Sequence, residues 1–282
     1  MIAVMLTNGI FRRRFIRMLL TLVLVYVLLA LLVMLFQRRM IYFPTRLAPS
    51  VADKIAVQNG FQAWRNPGGE IMGWRLPSTG TATGAVLIVH GNGGCALDRS
   101  YLAGPIHAAA GVDVFVLEYP GFGARAGAPS QKSFLNAAEE AFDSIPSGRP
   151  VYIVSESLGT GVAAHLARKH GRKVAGLICF APYDRLVSVG QAQMKIFPVS
   201  LMLWDRYEPA AWLTDYRGPV KIILAEADQV IPMRFGRKLF DVYAGPKDLE
   251  IIPGAGHNDI AAQSPEWWKR VFEFLATKQR QN

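Results

Sequence analysis

From Met18 to Phe36 the chain runs nineteen residues without a charge, MLLTLVLVYVLLALLVMLF. At about 1.5 Å of helical rise per residue such a run reaches roughly 29 Å, close to the hydrocarbon thickness of a bilayer. A cleaved signal peptide has a shorter apolar core, about 7 to 15 residues, followed by small residues. Here Gln37, Arg38 and Arg39 follow instead. A buried core helix seldom lacks polar residues for so long. The run is therefore expected to be an uncleaved single-pass anchor, with membrane lipids as its partners.

The net charge of +10 would suggest a nucleic-acid partner if it were spread over the chain. Six of those charges are Arg12, Arg13, Arg14, Arg17, Arg38 and Arg39, all beside the apolar run, and no acid precedes Asp53. Arginines placed there suit anionic headgroups and the positive-inside bias, and no nucleic acid is expected. Four arginines precede the run; two follow directly, with Arg46 a little later. That slight asymmetry leans towards an inside N-terminus and an extracytoplasmic main domain. Cys95 and Cys179 make one pair, which gives neither a disulfide framework nor metal-ligand spacing. Two buried free thiols are expected, with no metal and no cofactor.

The organisation expected is a basic segment over 1–17, the anchor over 18–36 and one domain over 37–282, a length that suits a single α/β unit. FQAWRNPGGEIMGWRLP reads as a hairpin turning at Asn66 to Gly69. Short apolar runs follow at 85–90, 112–119, 151–155, 175–182, 220–226 and 248–254, most of them continuous, as in strands buried on both faces of a parallel sheet. Segments of helical spacing lie between them, with caps at Ser130 and Ser264 and a stop at Gly245. The pattern predicts a mostly parallel open sheet with helices on both faces.

Ligands of such sheets bind beyond the carboxyl ends of the strands. VYIVSESLGTG puts Ser157 there, on a sharp strand-to-helix turn that demands small residues two before and two after. Ser155 and Gly159 meet the demand, giving S-x-S-x-G. Ser155 is the poorer nucleophile, since Ile153 stands two residues before it. A serine needs a base, and the base an orienting acid. Among the five histidines, His107, His165 and His170 fall in helices, and His90 closes a strand within a glycine loop. His257, in GAGHNDI after the last strand, is the candidate base. Asp228, in AEADQVIP after the strand before, is the candidate acid, with Asp184 in APYDRL as its rival. For an oxyanion, HGNGG offers the backbone N–H of Asn92 and the serine turn that of Leu158. HGNGG lacks the lysine and spacing of a P-loop and the spacing of a dinucleotide fingerprint.

Taken in order, RRMIYFPTR, HGNGG, EYPGFGARAGAPS, SESLGTG, AEADQVIP and GAGHND resemble the α/β-hydrolase superfamily. Within it the chain is most similar to membrane-anchored serine hydrolases that include protein depalmitoylases and the yeast bud-emergence type protein. The resemblance runs from about Gln37 onward. It implies an α/β-hydrolase fold, a triad of Ser157, Asp228 and His257, and an oxyanion hole at Asn92 and Leu158. Two positions depart from the pattern, Ser155 in place of glycine and Arg125 in place of serine, and both are expected to reshape the pocket.

Between Tyr183 and Gly218 the apolar residues have no strand partner, and a small cap is expected over about 183–218. Ile196 to Trp204 are expected to wall an acyl-binding cleft. The function expected is cleavage of acyl esters or thioesters through an acyl-enzyme. Two alternatives stay open: a peptidase of the serine aminopeptidase type, and a hydrolase fold that has lost catalysis and serves as a scaffold.

Overall fold

The computed structural model describes residues 2–281, with side chains from residue 11 onward. Helix α1 (Ile2–Ile41) is continuous and overruns the expected 18–36 span at both ends. The flanking Arg, Gln and Met are good helix formers, so nothing breaks the helix where the apolar run stops. Its segment Phe11–Ile41 contains an eighteen-residue stretch of mean hydropathy 3.1 that is unburied, which makes it a candidate membrane anchor.

The chain then forms β1 (Phe43–Pro44), α2 (Pro49–Gln58), and the hairpin β2 (Gln62–Arg65) and β3 (Ile71–Leu76). Strands and helices alternate from there: β4 (Ala85–Val89), β5 (Gly93–Gly94), α3 (Ser100–Ala110), β6 (Asp113–Leu117), α4 (Gln131–Ser144), β7 (Val151–Glu156), α5 (Gly159–His170) and β8 (Val174–Phe180). Three short helices follow, α6 (Leu186–Gln193), α7 (Val199–Met202) and α8 (Pro209–Trp212), before β9 (Val220–Ala225), α9 (Met233–Val242), β10 (Lys247–Ile252) and α10 (Pro265–Arg280). Eight strands make one sheet in the order β10-β9-β8-β7-β4-β6-β3-β2. The hairpin and its junction with β6 are antiparallel; the rest is parallel.

The continuous apolar strands are explained by their two buried faces. Leu87 and Val89 of β4 face a core shared with Phe134 of α4, Val162 of α5 and Leu239 of α9. Val86 and Ile88 face the other side, with Leu102 of α3 and Trp268 of α10. Side chains alternate across a strand, so each apolar residue finds a packed layer. The expected caps form: Ser130 accepts from the Ser133 N–H, and Ser264 from the Trp267 N–H.

Three sequence expectations shift. Helix α2, begun by Pro49 in its first turn, was not anticipated. Helix α9 stops at Val242 rather than near Gly245. Lys247 Nζ donates to the Phe240 and Tyr243 carbonyls at 2.6 and 2.7 Å, so a lysine from the next strand satisfies the helix end. In the inserted α6–α8 segment, Ile196 is 72% and Leu201 79% exposed. They face outward beside α1 and do not wall a cleft. The segment is bound to that helix: Tyr26 Oη donates to the Ile196 carbonyl at 2.8 Å, Gln37 bonds the Met202 carbonyl and the Trp204 N–H, and Arg38 forks onto Asp205 at 3.0 and 3.1 Å.

Two glycines should respond differently to alanine. A Cβ on Gly159 would lie 2.2 Å from the Val89 carbonyl oxygen, whereas at Gly104, exposed within α3, it would meet nothing within 4 Å. Gly159→Ala is expected to lower unfolding free energy by about 1–3 kcal/mol or more. At Gly104 the helix-propensity gain of alanine is opposed by the ring of the following Pro105, so Gly104→Ala should change it by less than about 1 kcal/mol. Thermal melts of the two variants in one detergent check the pair.

Candidate active site

Ser157 lies between the end of β7 and the start of α5 with φ of +51°, in the left-handed region. A non-glycine residue there costs of order 1–3 kcal/mol unless its surroundings enforce it. They do: its N–H donates to the Phe180 carbonyl at 2.9 Å, and its carbonyl accepts from the Thr160 N–H at 3.0 Å. The turn also needs Gly159 against the Val89 carbonyl and Gly161 against the ring of Tyr207, where a Cβ would come within 2.2 and 2.4 Å. Ser155 is wholly buried in β7, its hydroxyl beside the Cys179 thiol and 3.5 Å from the Ile178 carbonyl. Small size is all the turn asks of it.

His257 stands on the loop after β10, and its Nδ1 is 2.6 Å from Asp228 Oδ2. The second oxygen of Asp228 accepts from the Val230 and Ile231 N–H groups at 2.8 and 2.7 Å. A carboxylate held at both oxygens fixes the imidazole with its proton on Nδ1 and leaves Nε2 as an acceptor. Asp184 is elsewhere, paired with Lys238 Nζ at 2.8 Å. Ser157 and His257 line one cavity of about 290 Å³, bounded also by Gly91, Asn92, Arg99, Tyr101 and Glu156. Among the described residues no hydrogen bond joins Ser157 to the imidazole; such contacts often close only when substrate is bound.

Asn92 is where the site meets the helix. Its Nδ2 donates to the Ile41 carbonyl at 2.8 Å, and its own carbonyl accepts from the Phe43 N–H at 2.8 Å. β1 and β5 pair in parallel, Phe43 with Gly93 and Pro44 with Gly94, and the Thr45 N–H reaches the Gly94 carbonyl at 2.8 Å. The glycine loop is therefore held by the residues that leave α1. Neither the Asn92 nor the Leu158 backbone N–H has a protein partner among the described residues, so both remain free to donate.

Behind the loop, His90 Nδ1 is 2.9 Å from the Gly91 carbonyl, and Glu118 Oε1 accepts from the Ala96 N–H at 3.0 Å. Both side chains are wholly buried, 3.8 Å apart. Burial pushes the Glu118 carboxyl up to about 7 and holds the His90 imidazole down to about 3. The remaining histidines are structural: His107 contacts the Pro77 carbonyl, His165 pairs with Glu139, and His170 stacks on Phe142. Arg125, expected to reshape the pocket, does not reach it. It bonds the Glu118 carbonyl and Glu140, and lines a separate hollow beside Arg65 and Trp74.

The fold has counterparts among known proteins. Residues 80–211 match the family described as serine aminopeptidase, S33. The uncharacterized protein Rv2307c of Mycobacterium tuberculosis is 31% identical over 230 residues, which cover 79% of this chain and 81% of that one. The chain belongs to the α/β-hydrolase superfamily. The lysophosphatidylserine lipase ABHD12 of Macaca fascicularis is 26% identical over 245 residues, and the hydrolase spans 61% of its length. Among solved structures, the Pyrococcus furiosus esterase Pf2001 superposes with a TM-score of 0.61 at 16% identity, covering 84% of the hydrolase and 99% of that chain. The Paleococcus ferrophilus monoacylglycerol lipase gives 0.54 at 19%, covering 72% and 98%.

Sequence reasoning missed three residues of the hydrolase's cavity. Arg99 Nε donates to Glu156 at 2.9 Å and Nη2 to the Gly93 carbonyl at 2.8 Å, while Tyr101 Oη donates to the other Glu156 oxygen. Burial, with Glu156 adding to it, raises the Tyr101 phenol above its ordinary value. Glu156 could have been suspected, since it sits between two serines of the turn. Arg99 directly precedes α3 and Tyr101 lies in its first turn, and neither carries a signal of its own.

The buried pair yields a pH signature. Between about 4.5 and 6.5 the folded protein holds one proton on Glu118 and none on His90, while the unfolded chain holds one on the histidine and none on the carboxylate, so their slopes cancel. In Glu118→Gln only the His90 slope remains. That imidazole binds a proton only when unfolded, so stability should fall on acidification from pH 6.5, by about 1.4 kcal/mol per pH unit at most. Denaturant melts from pH 7 to 4.5 compare this slope with the wild type.

Proposed function

We propose that the hydrolase is a membrane-anchored serine enzyme that cleaves acyl esters or thioesters through an acyl-enzyme. The observation that carries the reading is the 2.6 Å contact of His257 with a fully hydrogen-bonded Asp228, beside a cavity shared with the strained Ser157. In the proposed reaction Ser157 Oγ attacks the acyl carbonyl and gives its proton to His257 Nε2. Asp228 holds the imidazole in the required tautomer and stabilises the imidazolium. The Asn92 and Leu158 N–H groups receive the oxyanion. Collapse expels the alcohol or thiol, protonated by His257, and a water activated by the same base then releases the acid.

The lipase name of the ABHD12 relatives supports an acyl-lipid substrate. The exposed apolar α1 and its basic flanks support a bilayer location. For the peptidase alternative, a substrate α-ammonium needs a free carboxylate. Glu156, the acid that lines the cavity, is already taken by Arg99 and Tyr101.

A fluorophosphonate probe should label Ser157, and Ser157→Ala should abolish labelling while lowering kcat by several orders of magnitude. Labelling that persists in Ser157→Ala and vanishes in Ser155→Ala would move the nucleophile. A wild type that neither labels nor turns over esters would leave only the scaffold reading.

Asp228→Asn should lose most activity by freeing the wrong tautomer, about 10⁴-fold in kcat where this exchange is cleanest. Asp184→Asn, which breaks the contact with Lys238, should affect stability more than turnover. Steady-state kinetics with melting curves ranks the two. In cell fractionation the full chain should stay in the pellet through high salt and carbonate; salt extraction would point to a peripheral, arginine-driven attachment.

A further inference from the structure

A second cavity, about 260 Å³, lies between α1 and the α6–α7 segment. One wall is Val33, Met34 and Ile41 of the apolar helix; the other includes Val189, Met194 and Phe197. Gln37, the polar residue on the helix wall, turns its amide to backbone groups at Met34, Met202 and Trp204, so the groove keeps an apolar lining. It ends beside the catalytic cavity. Ile41 lines the groove, its carbonyl receives the Asn92 amide, and Asn92 lines the cavity of Ser157.

The depth of this groove decides what fills it. The charges flanking the apolar run, Arg17 and Arg38, are 21 residues apart, about 31 Å along a helix, which matches a hydrocarbon core of about 30 Å. Tyr26, which donates to Ile196 and stacks on Phe197, is 12 residues from Arg38, or about 18 Å along the axis. The contacts between helix and inserted segment therefore extend through the leaflet nearest the domain. Ile196, Leu201 and Trp204, exposed at 72%, 79% and 48%, then face lipid and not water. A groove lined by a spanning helix and open at that depth meets acyl chains before it meets anything else.

Building on the function proposed above, we infer that the groove between α1 and the inserted segment holds the acyl chain of the ester substrate, entered from within the bilayer, so that the anchor helix is itself a wall of the substrate site. A carbonyl at Ser157 would then leave its chain pointing past Asn92 and Ile41 into the leaflet, with the leaving group on the side of Arg99 and Tyr101.

The test is a hexadecyl fluorophosphonate with a terminal diazirine, added to the full chain in phosphatidylcholine vesicles. Ser157 Oγ bonds phosphorus, fluoride leaves, and the light-activated tail marks what it touches. The expected adducts fall within residues 33–41 or 186–203. A tail that marks other segments, with Ser157 phosphonylated, overturns the groove alone. No reaction at Ser157 overturns the function and the groove together. Kinetics gives a second reading: Met34→Trp and Met194→Trp, which fill the groove from opposite walls, should lower the hexadecanoyl-to-acetyl ratio of kcat/KM by about fourfold for each methylene excluded. Leu35→Trp, at a residue that is 63% exposed and outside the groove, should keep the wild-type ratio. Equal ratios in all three variants overturn the assignment.

Discussion

The approach of Gly159 to the Val89 carbonyl is the contact on which the rest of the site depends. It lets α5 begin within van der Waals reach of β4, and that closeness drives the chain through a left-handed residue at Ser157. The strain is met by the Phe180 carbonyl on one side and the Thr160 N–H on the other. Once the turn is fixed, the serine stands at the edge of the sheet with the glycine loop after β4 beside it. The neighbouring strands β9 and β10 then bring Asp228 and His257 to the same edge. None of the three side chains could be set by its own loop; the parallel sheet sets the frame.

Much of this frame was legible in the residues. A two-faced core demands unbroken apolar strands, so the six central runs stood out, and the small residues around Ser157 admitted few other turns. The choice between two aspartates was open from sequence because both follow a strand. What separates them is the partner, Lys238 for Asp184 and His257 for Asp228, and a helix on the far side of a loop supplies the lysine. The helix stop at Gly245 failed for a similar reason, since a lysine from β10 ends α9 three residues early. Arg99 and Tyr101 were invisible because an arginine and a tyrosine at a helix start carry no period or spacing that points to a cavity.

The inserted segment shows how the same residues can be read correctly as apolar and wrongly as to facing. Ile196 to Trp204 lack strand partners, and a cleft seemed the natural home for them. In the structure they are divided between two environments. Phe197, Val199 and Met202 turn inward to a groove completed by α1, while Ile196 and Leu201 turn out. The outward Ile196 and Leu201 continue the exposed apolar surface of α1, so the facing of the segment follows from the helix it packs against.

The pairing of Phe43 and Pro44 with Gly93 and Gly94 also orders events in time. Synthesis delivers the N-terminal residues first, so α1 is complete while the remainder is still being made. The strand leaving it is thus made about fifty residues before the glycine loop that it must pair with. His257 comes later by more than half the chain. A site assembled from segments so far apart closes late, as topologies rich in distant contacts do. In a nascent chain the candidate anchor helix is complete well before the site beside it can close.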